Sequence, residues 1–480
     1  MEPAAASGTV QGVNAPLPMS RLAMARRFQA IAALSFGTAL VVIDGAIATV
    51  ALPTIARDLQ VDGSAAVAVV TIYQLMLVML LLPFSGLGDR VGLRRMYQTG
   101  QLVFTVATIL CFFARSLPFL LIVRAAQAAG AAATLSVSSA LLRRVYPPEQ
   151  LGRGLGINSV VVSSSAALAP TLGGLVLAVA PWPWVFASAV PFAILSLALG
   201  RALPETRSSA HPFDLGGALL CAAMFGLVIG GLESGVHGDS PVVSAAVVAA
   251  GIVIGVLFVR RERGNARPIL PVDLLGRPVL ALSTIGAFTA FIATMTTLLS
   301  MPFRLQHGYG FSPSEVGAVL APWPLTTMIV APLAGTLSDR YPAGALGGIG
   351  MAVAFAGLIA LAFLPMHPGW FDIAWRMSLT GAGFGLFLSP NARLIIGSAP
   401  IERAAAAGGL ISTTRMVGQT MGATLVAALL ALGMGADRTP AFVAAALAFV
   451  AGLCSLARLN PAIRNPRAAE TEAVRPAQTP

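Results

Sequence analysis

Four residues could do chemistry in a place where chemistry is rare. Asp44, Arg124, Arg415 and Gln419 all lie inside long apolar runs, and ionisable groups held within hydrocarbon are costly and mark functional sites by default. Counted at about 1.5 Å per helical residue from residue 30, Asp44 lies roughly 21 Å into a bilayer core about 30 Å thick. Arg124, on a run that begins near residue 117 and travels the other way, lies roughly 11 Å below the opposite face by the same rise. The two groups therefore share a depth. Burial disfavours a charged carboxylate and a nearby arginine favours it, so the opposed effects leave Asp44 able to take up and release a proton, as a proton-coupled carrier requires. A purely structural ion pair between helices is the alternative.

Arg415 has no equally deep acidic residue in its half of the chain, so it must face a water-filled cavity or backbone carbonyls, with a role in binding or gating. Gln419 follows one turn later on the same helix face. Arg304 and Arg376 fall near an interface and are expected to snorkel, and Glu233, at the end of a run, is expected to be solvated. His211, His237, His307 and His367 read as loop residues, so neither a proton relay nor a metal site is assigned. Cys111, Cys221 and Cys454 have no metal-ligand spacing.

What must position these groups is a set of membrane helices. Of 480 residues, 56% are hydrophobic and only 10% charged, which disfavours a soluble enzyme, a disordered chain, a coiled coil and a nucleic-acid binder. Apolar runs between polar punctuation place fourteen spans at 28–53, 64–85, 96–114, 117–141, 155–180, 183–203, 214–233, 241–259, 279–303, 315–337, 343–365, 370–394, 405–433 and 438–459. The first run is too long for a signal peptide, contains Asp44 and lacks a cleavage site, so the N-terminus is expected to be retained.

All 30 basic residues are arginine, which reads as coding bias of a GC-rich genome, since a phosphate-binding surface has little reason to exclude lysine. On the fourteen-span layout 23 of them fall on the N-terminal side, Arg458 included, four opposite (Arg57, Arg115, Arg304, Arg438) and three within spans. Positive charge is retained in the cytoplasm during insertion, so both termini are expected there. The net charge of +11 is thus a topology signal.

Removing the short pair at 214–233 and 241–259 leaves six spans on each side. Gly86-Leu87-Gly88-Asp89-Arg90 follows the second span of the first half and Leu337-Ser338-Asp339-Arg340 the second span of the second half, as expected of two parallel six-helix repeats with equivalent cytoplasmic loops. The expected organisation is a disordered tail at 1–27, a six-helix bundle at 28–203, two inserted helices with flanking loops at 204–278, a second six-helix bundle at 279–460 and a disordered tail at 461–480. Asp89, Arg90 and Arg94 could hold one conformation closed by contacts with helix ends. Pro170, Gly173 and Gly174 interrupt span 5, where proline removes a helical hydrogen bond and glycine permits close helix contact.

These residues together resemble the major facilitator superfamily, in particular its fourteen-helix drug:proton antiporter branch, the EmrB/QacA type. Ile43-Asp44-Gly45-Ala46 through Leu52-Pro53 is similar to the first-helix motif LDxTxVNxALP, with Ala46 for Thr and Thr49 for Asn. Asp89, Arg90, Gly92 and Arg94 match the loop motif GxLaDRxGrk, where Ser85 stands for its first Gly and Leu93 for an Arg; Gly335 to Arg340 is a closer copy. Arg124 and Gln127 resemble RxxQG with Ala128 for the Gly. Pro170, Gly173 and Gly174 resemble the antiporter motif GPxxGG with Ala169 leading. Trp182 to Phe186 with Pro191, Pro302 to Gln306, and Thr414 to Gly418 are similar to further branch motifs.

The resemblance implies an all-α polytopic membrane protein of the major facilitator fold, two six-helix bundles plus two inserted helices. It implies a proton-coupled antiporter that exports small amphipathic, often cationic, drugs or dyes across a bacterial inner membrane. Asp44, Arg124, Gln127, Arg415 and Gln419 would serve proton coupling and substrate. Asp89, Arg90, Gly92, Arg94, Asp339 and Arg340 would gate, and Pro170, Gly173 and Gly174 would shape the antiport motion. No enzyme activity, metal or cofactor is expected beyond the proton gradient. Expected partners are protons, the lipid bilayer and a small-molecule substrate, with no nucleic acid and a monomeric transport unit; a periplasmic adaptor and an outer-membrane channel are left open. The departures at Ala46, Thr49, Ser85, Ala128 and Ala169 all lie in the first half; the weakened first-helix motif supports a dedicated exporter or importer of one metabolite, siderophore or biosynthetic product as the alternative, with a non-transporting membrane sensor a more distant one.

Overall fold

A computed structural model of the chain describes residues 24–146, 151–205, 213–236, 240–263, 272–398 and 404–460. The expected terminal tails before residue 24 and after residue 460, His211, His237 and parts of the arginine-rich loops lie outside the described residues. Within them the chain is helical and without strands. The first half comprises α1 (Met24–Asp58), α2 (Gly63–Val91), α3 (Leu93–Phe112), α4 (Leu117–Val145), α5 (Leu151–Val179), α6 (Pro183–Ala187) and α7 (Val190–Leu199). Next come α8 (Leu215–Val236) and α9 (Pro241–Arg263). The second half holds α10 (Pro278–Phe303), α11 (Pro313–Leu320), α12 (Pro322–Leu337), α13 (Ala343–Ala362), α14 (Trp370–Ser398), α15 (Ala404–Ala431) and α16 (Thr439–Ala457).

Taking α6 with α7 and α11 with α12 as single interrupted rods, the described helices coincide with the fourteen expected spans. Prolines mark the interruptions, Pro191 in the first turn of α7 and Pro322 opening α12, where a missing N–H is tolerated. Among the described residues ten of the rods are long and apolar enough to cross a membrane. Of the others, α3, α14 and α15 carry Gln101, Arg376 and Arg415 in their interiors. The ends differ from expectation where proline sits inside a helix: α1 runs through Pro53 to Asp58 and α14 through Pro390.

The two halves pack alike. α1 lies on α5 and α7, α2 on α4, and α3 on α4; correspondingly α10 lies on α15 and α16, α12 on α14, and α13 on α14. The halves meet through α2 against α15 and through α5 against α11 and α12, while α8 and α9 pair with each other and α8 leans on α2 and α15.

Buried polar side chains tie the rods together because lipid offers no alternative partners. Tyr97 of α3 donates to the Ala33 carbonyl of α1 at 2.6 Å and lies 3.0 Å from Ser196 of α7, while Gln101 donates to Ser196 at 2.8 Å. Arg458, counted above among the solvent-side topology charges, is buried instead: it donates to Asn391 of α14 at 2.5 Å and Ser283 of α10 at 2.8 Å. Arg304 does not snorkel either. It is 7% exposed and donates to the Leu361 and Ala362 carbonyls at 2.9 and 3.2 Å, satisfying the open C-terminus of α13. Arg376 joins it there with a bond to the Ala360 carbonyl at 3.0 Å. Both carboxylate oxygens of Glu233 are buried, so that residue is not solvated. His307 sits in a π-helical turn, Arg304–Gly308, stacked on Phe303, rather than in a loop.

The connection from α2 to α3 is a single residue. Gly92 has φ 103° and ψ 129°, and its N–H closes the last turn on the Gly88 carbonyl at 2.9 Å. L side chains rarely adopt that conformation, and holding one there costs about 1–3 kcal/mol. Gly92→Ala is therefore expected to lower stability by that amount; a thermal melt of the purified protein in detergent checks it, and an unchanged midpoint would show that the turn carries no strain.

Candidate functional site

The site is assembled from the buried stripes of three helices. On α1 the stripe Val41, Asp44, Ala48, Ala51 and Ile55 is at most 3% exposed, so Asp44 points where apolar neighbours point. On α4, Leu120, Val123, Arg124, Gln127 and Ala131 form the matching stripe, and on α3 Phe104, Thr108 and Cys111 do the same. Helical spacing of three and four residues thus aims one carboxylate, one guanidinium, one carboxamide and one hydroxyl at a common point.

There Arg124 Nη1 donates to Asp44 Oδ2 at 2.6 Å and to Gln127 Oε1 at 2.6 Å. Gln127 Nε2 donates to Asp44 Oδ1 at 2.9 Å and to Thr108 Oγ1 at 2.8 Å. Arg124 Nε reaches the Val69 carbonyl of α2 at 3.3 Å. Asp44 is 1% exposed, and Arg124 and Gln127 are fully buried. The guanidinium carbon lies 4.2 Å from the centroid of the Tyr73 ring and 5.1 Å from that of Phe186, a cation–π arrangement that suits a desolvated arginine. Both carboxylate oxygens have a donor, and Gln127 uses both ends of its amide.

Beside this cluster is a cavity of about 310 Å³ between the halves, at the lower edge of the range for small-molecule sites. Thr38, Gly45, Tyr73 and Gln74 contribute to its wall from the first half, and Trp323, Phe384, Arg415 and Gln419 from the second. Asp44, Arg124 and Gln127 are not part of that wall. Tyr73 is shared: one ring both lines the cavity and covers the arginine.

Pro170, Gly173 and Gly174 stand where the halves cross. A Cβ on Gly174 would lie 2.9 Å from the Pro313 carbonyl oxygen and 3.1 Å from Gly317 Cα of α11, and a Cβ on Gly317 would lie 2.6 Å from the Pro170 carbonyl oxygen. Gly173 faces α1, with Ile47 O 3.1 Å from where its Cβ would be. This backbone-to-backbone approach draws α5 against α11 on the side opposite the start of α1, and Pro170 itself reaches the cavity wall.

The predicted gating residues are dispersed. Asp89 and Arg90 fall in the last turn of α2 rather than in a loop, whereas Asp339 and Arg340 occupy the turn after α12. Arg94 pairs with the exposed Glu205 at 2.9 Å. Asp339 pairs with Arg393 of α14, which also donates to Ser338 Oγ at 3.0 Å. Asp44, Arg124 and Gln127 are thus brought together, and Arg415 and Gln419 share the cavity, as a separate set. Sequence reasoning missed Tyr73, Thr108 and Phe186. Tyr73 and Gln74 were detectable as adjacent polar-tipped residues at mid-depth of an otherwise apolar span; Thr108 and Phe186 give no such signal. Among the described residues no cluster of His, Cys, Asp and Glu could hold a metal ion.

The profile of the Major Facilitator Superfamily matches residues 34–423 and 283–478. The chain belongs to the major facilitator superfamily of multi-pass membrane transporters. It is 43% identical over 455 residues to the uncharacterized transporter YebQ of Escherichia coli (strain K12), covering 94% of this chain and 98% of that one. It is 31% identical over 412 residues to the multidrug resistance protein Stp of Mycobacterium tuberculosis, covering 85% of this chain and 76% of Stp. The fold is that of a bacterial homolog of the human lysosomal transporter Spinster, solved in an inward-facing and unoccupied conformation, with a TM-score of 0.65 at 17% identity over 91% of this chain and 98% of that one.

Removing one member of a buried, hydrogen-bonded ion pair leaves the other charge uncompensated, at a cost of about 3–5 kcal/mol. Asp44→Ala and Arg124→Ala are each expected to destabilise the protein on that scale, and the double variant by clearly less than their sum. Denaturation of the four proteins in detergent measures the coupling; additive effects would mean that the pair does not hold the two helices together.

Proposed function

We propose that the protein is a proton-coupled antiporter that exports small amphipathic molecules across the cytoplasmic membrane of a bacterium by alternating access, with both termini in the cytoplasm. The observation that carries this reading is the single ring of Tyr73 between the Asp44–Arg124 pair and the cavity. A proton on Asp44 removes the attraction that holds Arg124 Nη1 against Oδ2, while the Val69 carbonyl and the two rings still hold the rest of the guanidinium. The arginine is then free to shift against Tyr73, and the cavity wall shifts with it. Protonation and the shape of the substrate site are linked through a contact, with no need for proton and substrate to touch the same atom.

Alternating access needs two packings of the halves. The Pro170 to Gly174 crossing with Gly317 closes one side, since glycine on both helices lets the backbones meet without a side chain to displace. On the arginine-rich side, Asp339 with Arg393 and Arg94 with Glu205 join helix ends, and Asp89, Arg90 and Arg340 stand beside them as gating residues. The protein works as a monomer in this scheme, with the proton gradient as its energy source. Export is supported by the similarity to the tetracenomycin C resistance and export protein of Streptomyces glaucescens, 29% identical over 414 residues.

Asp44→Asn should reduce efflux of an amphipathic dye, driven by a pH gradient in proteoliposomes, by tenfold or more while the protein stays monodisperse. Undiminished efflux would remove Asp44 from the coupling mechanism.

A further inference from the structure

The cavity holds a cation that no described residue neutralises. Arg415 is half-buried on α15 and lines the cavity with Met416 and Gln419. It makes no hydrogen bond or ion pair with any described residue. Arg124, by contrast, has Asp44 as its counter-charge at 2.6 Å. None of the described residues lining the cavity is acidic. The one carboxylate at comparable depth, Asp44, is 1% exposed and engaged through both oxygens. A cationic guest would meet an uncompensated guanidinium and no counter-charge.

Two further polar atoms are left open on the same wall. Thr38 Oγ1 and Gln74 Oε1 belong to side chains only 4% and 6% exposed and have no hydrogen-bond partner. Buried polar groups are normally satisfied, and an unsatisfied one calls for a ligand or water. Opposite them Trp323 and Phe384 stack at 5.2 Å with an interplanar angle of 19°, a flat apolar surface. The wall therefore offers one cation, a few hydrogen-bonding groups and an aromatic platform.

We propose that the substrate is an amphipathic organic anion, its acidic group paired with Arg415 and its apolar or aromatic body against Trp323 and Phe384. This rests on the reading of the cavity as the substrate's path, and it departs from the cationic preference that the family resemblance implies. The roles divide between the halves: Asp44 in the first exchanges the proton, and Arg415 in the second holds the cargo. A guanidinium also offers a paired donor fork that matches a carboxylate better than an ammonium does.

The test uses three probes that share one ring system: 2-naphthoate, neutral 2-naphthamide and the cation 2-naphthyltrimethylammonium, titrated calorimetrically against the purified full-length protein. Wild type should bind naphthoate at least tenfold more tightly than either of the others, a comparison that needs no variant. Arg415→Gln should weaken naphthoate tenfold or more, the usual cost of losing a charged hydrogen-bond partner, and Arg415→Lys, which keeps the charge but not the fork, should restore part of it, both melting near wild type. Equal or tighter binding of the cation, unchanged naphthoate affinity in Arg415→Gln, or saturation by none of the probes would each overturn the proposal. Transport separates the two readings. Naphthoate bound through Arg415 but not driven by a pH gradient would sink the antiport reading and keep the anion site. Gradient-driven movement of the cation, indifferent to Arg415→Gln, would do the reverse.

Discussion

The molecule is organised around a charge pair that it cannot leave half made. Asp44 and Arg124 are sealed from solvent, and in that setting either one alone is worth several kcal/mol of penalty. Satisfying them takes three helices besides α1. α4 supplies Arg124 with Gln127 one turn on, α3 supplies Thr108, and α2 supplies the Val69 carbonyl and the face of Tyr73. One buried pair thereby fixes the relation of four helices. In the proposed antiport this is the bistable constraint, because the contacts that stabilise one packing would weaken on protonation of Asp44.

The second half provides what the first lacks. Among the described residues its corresponding helices hold no buried ion pair at that depth; instead α15 presents Arg415 and Gln419 to the space between the halves, and α12 and α14 present Trp323 and Phe384. Repeat symmetry of the helix packing coexists with asymmetry of the chemistry. The buried polar contacts of this half, Arg458 with Asn391 and Ser283, and Arg304 with the end of α13, are internal to it and act as joints that hold its helices together. The crossing of α5 and α11 joins the halves by backbone contact, without charged partners.

Much of this was readable in the residues alone. The helices were legible because lipid demands continuous apolar runs and a closed backbone hydrogen-bond ladder, and the shared depth of Asp44 and Arg124 followed from rise per residue. Helix ends were less so: Pro53 looks like a stop but lies within α1, since a packed bundle tolerates the lost bond that an isolated helix would not. Arg304 and Arg458 were misread because depth along a span says nothing about which neighbour's open helix end or side-chain cluster lies alongside. Thr108 was missed for the reverse reason, being a residue type that a single sequence cannot distinguish from ordinary packing, whereas Tyr73 beside Gln74 left a polar signal at mid-depth that was passed over. That Arg415 faces a cavity could be argued from its lack of a partner; that no carboxylate shares the cavity required the structure.

The central claim is that Asp44 carries the transported proton, and proton movement itself tests it most directly. In proteoliposomes with an acidic interior and a trapped pH indicator, added substrate should accelerate proton escape through the wild-type protein and leave the basal leak unchanged in Asp44→Asn. Equal acceleration in both proteins, or none in wild type for a substrate shown to bind, would contradict the account.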